Sequence, residues 1–252
     1  LFEVLEPEGL DLQAFQVLEI RSRLARPQAG LPGALCLDPS FVEQGWFGHY
    51  RGPADARLLP QAQLIERLAG QGLHAARPLL ISGVGPWGPV NAARVAWALL
   101  DVGFSVSWLN GGSMAWPGPR EMPRQPEPAP IWKAPPGRFS VARGDWDGAI
   151  LLDVRSREEF TGRRQDRYRF FRSCGPIPGA RWFGNWTRLV RPDRRLRSPA
   201  ELLPLWQGFR EEPLVFYCGT GWRSSLACCL SLWLGFGNVR NYDGGIYDWS
   251  EG

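Results

Sequence analysis

Short apolar runs of strand length recur along this chain, separated by longer stretches with helical spacing. In the second half, Ala149–Val154, Leu214–Tyr217 and Val239–Tyr242 are near-continuous apolar runs, the pattern of strands buried on both faces of a sheet. Between them, Pro199–Trp206, with Ser198 as its N-cap, and Ser224–Leu234 read as helices. Strands alternating with helices predict a mainly parallel sheet covered on both sides. The expected fold class is α/β.

The pattern occurs twice. Val17-Leu18-Glu19-Ile20-Arg21 matches Leu151-Leu152-Asp153-Val154-Arg155, and Leu31-Pro32-Gly33-Ala34 matches Ile177-Pro178-Gly179-Ala180. Pro78-Leu79-Leu80-Ile81 matches Pro213-Leu214-Val215-Phe216, and Leu109-Asn110-Gly111-Gly112 with Trp116 matches Tyr242-Asp243-Gly244-Gly245 with Trp249. The spacing is kept as well: 62 residues from Arg21 to Gly83, and 63 from Arg155 to Cys218. Order and spacing together imply a duplicated domain. Residues 117–136 contain eight prolines and predict an extended, semi-rigid connection. The expected organisation is a domain over 1–116, a Pro-rich linker over 117–138 and a second domain over 139–252.

Composition narrows the class. With 44% hydrophobic and 21% charged residues among 252, the chain can close two cores of ordinary domain size, and a disordered protein is excluded. No apolar run approaches the ~18 residues of a membrane span, so no membrane partner is expected. The chain opens at Leu1 rather than Met; residues before it are expected to have been removed, and both a cytoplasmic and a periplasmic setting stay open. Five cysteines, Cys36, Cys174, Cys218, Cys228 and Cys229, lack the density and spacing of a disulfide framework and are expected to be reduced. His49 and His74 have no partner at ligand spacing, so neither a metal site nor a cofactor is expected.

The net charge is +4, and the excess is local: Arg155 to Arg197 holds 13 Arg and 4 acidic residues. Such a stretch is either a solvated basic face or a mouth that steers small anions inward. Part of it, Arg163–Arg172, interleaves five Arg with Tyr168, Phe170 and Phe171. No nucleic-acid-binding motif accompanies it, and no nucleic-acid partner is expected.

The chemistry concentrates in Tyr217-Cys218-Gly219-Thr220-Gly221-Trp222-Arg223-Ser224-Ser225. An apolar strand ends there, a Gly-containing turn follows, and a helix is expected from about Ser224. Ligands of open α/β sheets bind at the carboxyl ends of strands. Gly219 and Gly221 let the backbone curl so that several N–H groups converge, and the helix N-terminus adds about half a positive charge. That setting favours a thiolate and so a nucleophile. A free Cys is otherwise often just a small buried apolar residue; the strand–loop–helix context and the repeat favour the nucleophile. A cysteine phosphatase is a rival reading, but its loop has Cys-x5-Arg, whereas here Arg223 falls one position early and Ser224 takes its place.

These segments, Leu152-Asp153-Val154-Arg155 with Glu159-Phe160, Ile177-Pro178-Gly179-Ala180, Cys218-Gly219-Thr220-Gly221-Trp222-Arg223, and Asp243-Gly244-Gly245 with Trp249, resemble the ordered signatures of the rhodanese family, in its tandem-domain form. The resemblance implies two rhodanese-like domains, the second active and the first a degenerate copy. It implies that Cys218 takes the sulfane sulfur of a small anionic donor as a persulfide and passes it to cyanide, a thiol or a protein acceptor. Gly83, in Ser82-Gly83-Val84-Gly85-Pro86-Trp87-Gly88-Pro89, stands where the second copy has Cys218, in a loop expected to be about three residues longer. Asp153 and Arg155 are expected to support the active loop. Mercaptopyruvate-using members of the family usually carry an Arg where this chain has Glu159, which is expected to repel a carboxylate. Arg223 and Arg181 are expected to draw a thiosulfate dianion. Thiosulfate or a protein persulfide is therefore the expected donor, and Glu159→Arg is expected to raise mercaptopyruvate use. 3-Mercaptopyruvate sulfurtransferase and a sulfur-relay or partner-binding module remain the alternative readings.

Overall fold

The computed structural model describes residues 2–21, 28–46, 49–163, 175–209 and 212–251. Most of the Arg163–Arg172 stretch and Cys174 lie outside the described residues. The chain forms two compact units. The first comprises Leu1–Val42, Leu59–Gly137 and Pro192–Leu196, the second Glu43–Leu58, Arg138–Arg191 and Arg197–Gly252. Each unit thus takes in a short segment from the other half of the chain, which a division at 117–138 alone does not convey.

The first unit contains β1 (Phe2–Leu5), β2 (Gln16–Ile20), β3 (Leu35–Leu37), α1 (Gln61–Gly70), β4 (Leu79–Gly83), α2 (Gly88–Asp101) and β5 (Val106–Leu109). Its five strands are all parallel, in the order β1-β5-β4-β2-β3. The proline-rich segment runs extended along this unit and is bonded to it. Gly30 and Glu121 exchange backbone hydrogen bonds, the Arg124 amide donates to Ala34 at 2.9 Å, and the Ala129 amide donates to Ala69 at 2.8 Å. Trp132 Nε1 donates to the Val102 carbonyl at 2.9 Å.

The second unit contains β6 (Ser140–Val141), β7 (Ile150–Asp153), α3 (Arg157–Phe160), β8 (Arg181–Trp182), α4 (Pro199–Leu202), β9 (Leu214–Tyr217), α5 (Trp222–Trp233), β10 (Val239–Tyr242) and α6 (Gly245–Glu251). Its sheet is again parallel, in the order β6-β10-β9-β7-β8. This is the order of the first unit strand for strand, and two parallel sheets flanked by helices are what the repeat predicts.

Local chemistry explains the element ends. Ser198 and Glu201 form a capping box at α4, but the α-helix stops at Leu202 and a 3-10 turn continues over Leu203–Trp206. Pro204 lies in that turn with no amide to extend an α-ladder. The helix expected from Ser224 begins two residues earlier, at Trp222, because Gly221 turns the chain with a left-handed φ of 81°.

The core of the second unit gathers Val141, Leu151, Ile177, Val215, Tyr217, Tyr242, Ile246 and Tyr247 together with Tyr50 and Ala56. The last two belong to the segment Glu43–Leu58, which is tied in by polar contacts too. Leu58 N donates to Asp243 Oδ2 at 2.6 Å, Arg57 pairs with Asp248, and Trp222 Nε1 donates to Glu43. A fragment of residues 138–252 lacks these contacts. Each buried polar group left without its partner costs about 1–3 kcal/mol. We therefore expect the fragment to melt well below the full chain in circular dichroism; equal melting temperatures would show that the segment contributes nothing.

Candidate active site

Cys218 follows the last residue of β9, a strand buried along its whole length, and is itself fully buried. Three carbonyls of the loop after it are held from outside. Cys218 O accepts from the Ile246 amide and Gly219 O from the Tyr247 amide, each at 2.9 Å. Gly221 O accepts from Ser225 Oγ at 2.7 Å and from Asn241 Nδ2 at 3.1 Å. A trans peptide points its N–H opposite to its C=O, and the chain has no cis bond among the described residues. Tying these carbonyls therefore turns the amides of Gly219, Thr220 and Trp222 to the other side of the loop. The first amides of α5 likewise have no carbonyl one turn earlier to bond.

The contact with α6 demands glycine. Gly245 has φ of 57°, and a β-carbon there would lie 2.6 Å from Cys218 O and 2.8 Å from Gly219 O. The first unit has the same contact in a tighter form: Gly112, with φ of 63°, lies against the Gly83 carbonyl as Gly245 lies against that of Cys218. At Gly83, the position matching Cys218, a β-carbon would fall inside the Gly88 carbonyl at the start of α2. So the first copy has no thiol at the position of Cys218, and no room for one there without backbone movement. Its loop reaches its helix in five residues against four in the second unit, a difference of one residue rather than the three expected.

The charged residues are arranged differently from the sequence expectation. Arg223 donates to both oxygens of Glu159, at 2.9 and 3.0 Å, and both side chains are nearly buried. Glu159 is also the third residue of a capping box with Ser156, whose amide it accepts at 2.8 Å. Burial by itself would raise the Glu159 carboxyl; the bonds and charge of Arg223 outweigh it and hold the carboxyl below its ordinary value. The two charges set against each other by sequence reasoning are one paired unit, and Glu159 stands at α3 as a clamp on α5. Arg181 is exposed on the outer strand β8, opposite Leu152. Asp153, one residue on from Leu152, is level with Tyr217 of β9. Arg181 therefore sits two strands from Cys218, with β7 between them, and two positions short of its level.

Asp153 and Arg155 are fully buried and joined by several bonds, the shortest of them 2.8 Å. Arg155 lies 5.8 Å from the centre of the Tyr217 ring, and Tyr217 O accepts from Val154 N. The pair thus packs against the strand end that precedes the loop. Trp222, the first residue of α5, is held by Glu43, which also accepts from Tyr50 Oη. Among the described residues, Thr220 Oγ1 is buried without a hydrogen-bond partner.

Burial disfavours the thiolate form of the other described cysteines. Burial pushes Cys228 and Cys229 far up, and it pushes Cys36 up to about 11 against the opposing charge of Arg21. Sequence reasoning missed Glu43, Ser224 and Asn241 as site residues. Glu43 lies 179 residues from Trp222 and carries no motif. Ser224, at a helix start directly after Arg223, was the one legible signal.

A repeated five-stranded parallel sheet with a cysteine in one strand-to-helix loop defines the class. Residues 140–252 match the family model for a rhodanese-like domain. The chain is 31% identical to thiosulfate sulfurtransferase YnjE of Escherichia coli K12 over 249 residues, covering 88% of this chain and 54% of YnjE. It is 34% identical to a putative thiosulfate sulfurtransferase of Haloferax volcanii, covering 84% of this chain and 80% of that protein. Sulfur carrier protein TtuD of Thermus thermophilus is 28% identical, with 58% of this chain and 59% of TtuD covered. The crystal structure of YnjE superposes with a TM-score of 0.80 at 27% identity, over 98% of this chain and 62% of that one. The chain belongs to the rhodanese family. It spans about half the length of YnjE.

The pairing of Glu159 reverses one expectation. Glu159→Arg sets two guanidinium groups against each other in a nearly buried place. Breaking a buried pair costs about 3–5 kcal/mol, so we expect the variant to melt lower and to lose activity with every donor. A selective gain with mercaptopyruvate in steady-state assays would contradict this placement.

Proposed function

We propose that this protein is a thiosulfate sulfurtransferase that carries sulfane sulfur as a persulfide on Cys218. The Cys218 thiolate attacks the outer sulfur of thiosulfate and forms a new S–S bond. The bond between the outer sulfur and the sulfonate sulfur breaks, and sulfite leaves with that electron pair. A thiophilic acceptor such as cyanide or a thiol then attacks the outer persulfide sulfur, and Cys218 is returned as thiolate.

The observation that carries this reading is the outward tying of the loop carbonyls around Cys218. It leaves amide N–H groups and the start of α5 to stabilise a negative sulfur. The buried, unpartnered Thr220 hydroxyl adds a donor suited to the persulfide or to a sulfite oxygen. The family relatives named thiosulfate sulfurtransferase support the donor, and the likeness to a protein named sulfur carrier supports a protein among the acceptors. Mercaptopyruvate is disfavoured, because the position where its users carry an Arg is here a carboxylate already committed to Arg223.

Intact mass spectrometry after incubation with either donor tests the proposal. Thiosulfate should add one sulfur atom to the wild type and to Cys36→Ser, and none to Cys218→Ser. Loss of a charge-assisted bond to the mercaptopyruvate carboxylate corresponds to roughly one to two powers of ten in kcat/KM in favour of thiosulfate. Sulfur loading of Cys218→Ser would remove the nucleophile, and a preference for mercaptopyruvate would remove the donor.

A further inference from the structure

Ser224 lies in the first turn of α5 with its Oγ 3.6 Å from Cys218 Sγ and 2.6 Å from Asn241 Oδ1. Ser224, Asn241 and Ser225 are all fully buried, so their hydrogen-bond directions are set by one another. Gly221 O accepts only, so the Asn241 atom facing it, at 3.1 Å, is the amide nitrogen. The same nitrogen lies 3.4 Å from Ser225 Oγ, whose own hydrogen goes to Gly221 O. Asn241 therefore turns its oxygen to Ser224, and the single hydroxyl hydrogen of Ser224 points at that oxygen. Towards Cys218, Ser224 presents a lone pair.

From this geometry we infer that Ser224 is a further catalytic residue, a hydroxyl rotor that serves the Cys218 sulfur in both of its charge states. The inference rests on the reading of Cys218 as the nucleophile. While Cys218 carries its proton, Ser224 accepts from the S–H and donates to Asn241. Once the proton is gone, the sulfur and Asn241 Oδ1 compete for one hydrogen. A hydrogen bond to an anion is roughly twice as strong as a neutral one, so the hydroxyl turns to the sulfur. Asn241 Oδ1 gives up its donor, which offsets part of the gain, while its amide goes on holding Gly221. Only the Ser224–Asn241 bond is exchanged; the bonds that hold the Gly221 carbonyl stay in place. The phosphatase-like spacing in the sequence, with Ser224 where an Arg would stand, acquires a purpose: a neutral donor beside the sulfur in place of a phosphate-binding guanidinium.

Alkylation of Cys218 by iodoacetamide at fixed pH, with the site located by peptide mass mapping, tests the rotor without requiring sulfur transfer. Ser225 is the internal comparison, because it belongs to the same network and is equally buried but bonds Gly221 O and Asn241 rather than the sulfur. Ser224→Ala should slow alkylation about 10-fold, the scale of one charge-assisted bond less the part offset at Asn241, and Ser225→Ala should slow it clearly less. Equal slowing in both variants would mean that the network only holds the loop, and no slowing in Ser224→Ala would mean that the hydroxyl does not serve the sulfur; either result overturns the inference. Cys218 that alkylates normally in the wild type but never takes sulfur from thiosulfate would instead count against the proposed activity, leaving the rotor intact.

Discussion

The close approach of α6 to the loop after β9 is the constraint on which the rest depends. With no side chain at residue 245, the first amides of α6 reach the carbonyls of Cys218 and Gly219. A β-carbon there would force helix and loop apart, and a φ of 57° would add strain. Because a peptide plane is rigid, fixing where the carbonyls point also fixes where the amides point. Two of the three outward carbonyls of the loop thus depend on one missing side chain. In the first unit the equivalent contact is Gly112 against the Gly83 carbonyl, and a second one, between Gly83 and Gly88, leaves no volume for a thiol at residue 83.

Around that constraint three further residues at the end of the loop and the start of α5 are held by side chains from elsewhere in the second unit. Asn241 and Ser225 hold Gly221, Glu159 holds Arg223, and Glu43 holds Trp222. The clamps come from β10, α5, α3 and the segment 43–58, so the loop inherits the rigidity of the whole second unit. Donors fixed before reaction need no reorganisation as charge moves onto sulfur. That is the sense in which a buried loop with its carbonyls tied outward suits the proposed chemistry.

Much of this was legible in the sequence. The apolar runs at Leu214–Tyr217 and Val239–Tyr242 are strands at those limits, and the repeated segments mark two sheets with one strand order. Legibility failed where the determining contact is distant or mutual. Arg223 and Glu159 were each readable as charges, but only their 64-residue contact shows that they cancel. Glu43 acts across 179 residues with no motif to announce it. Ser224 was visible, yet its direction depends on which way Asn241 points, and that is decided by the Gly221 carbonyl.

The central claim is that one sulfur of this chain is prepared to take and hold a sulfane sulfur before any acceptor arrives. The most direct measurement is the sulfite released when the protein is mixed with excess thiosulfate in the absence of an acceptor. A rapid release of one sulfite per chain that then stops is expected, with the transferred sulfur retained on the Cys218 peptide. No release until an acceptor is added, or a release unchanged by Cys218→Ser, would contradict it.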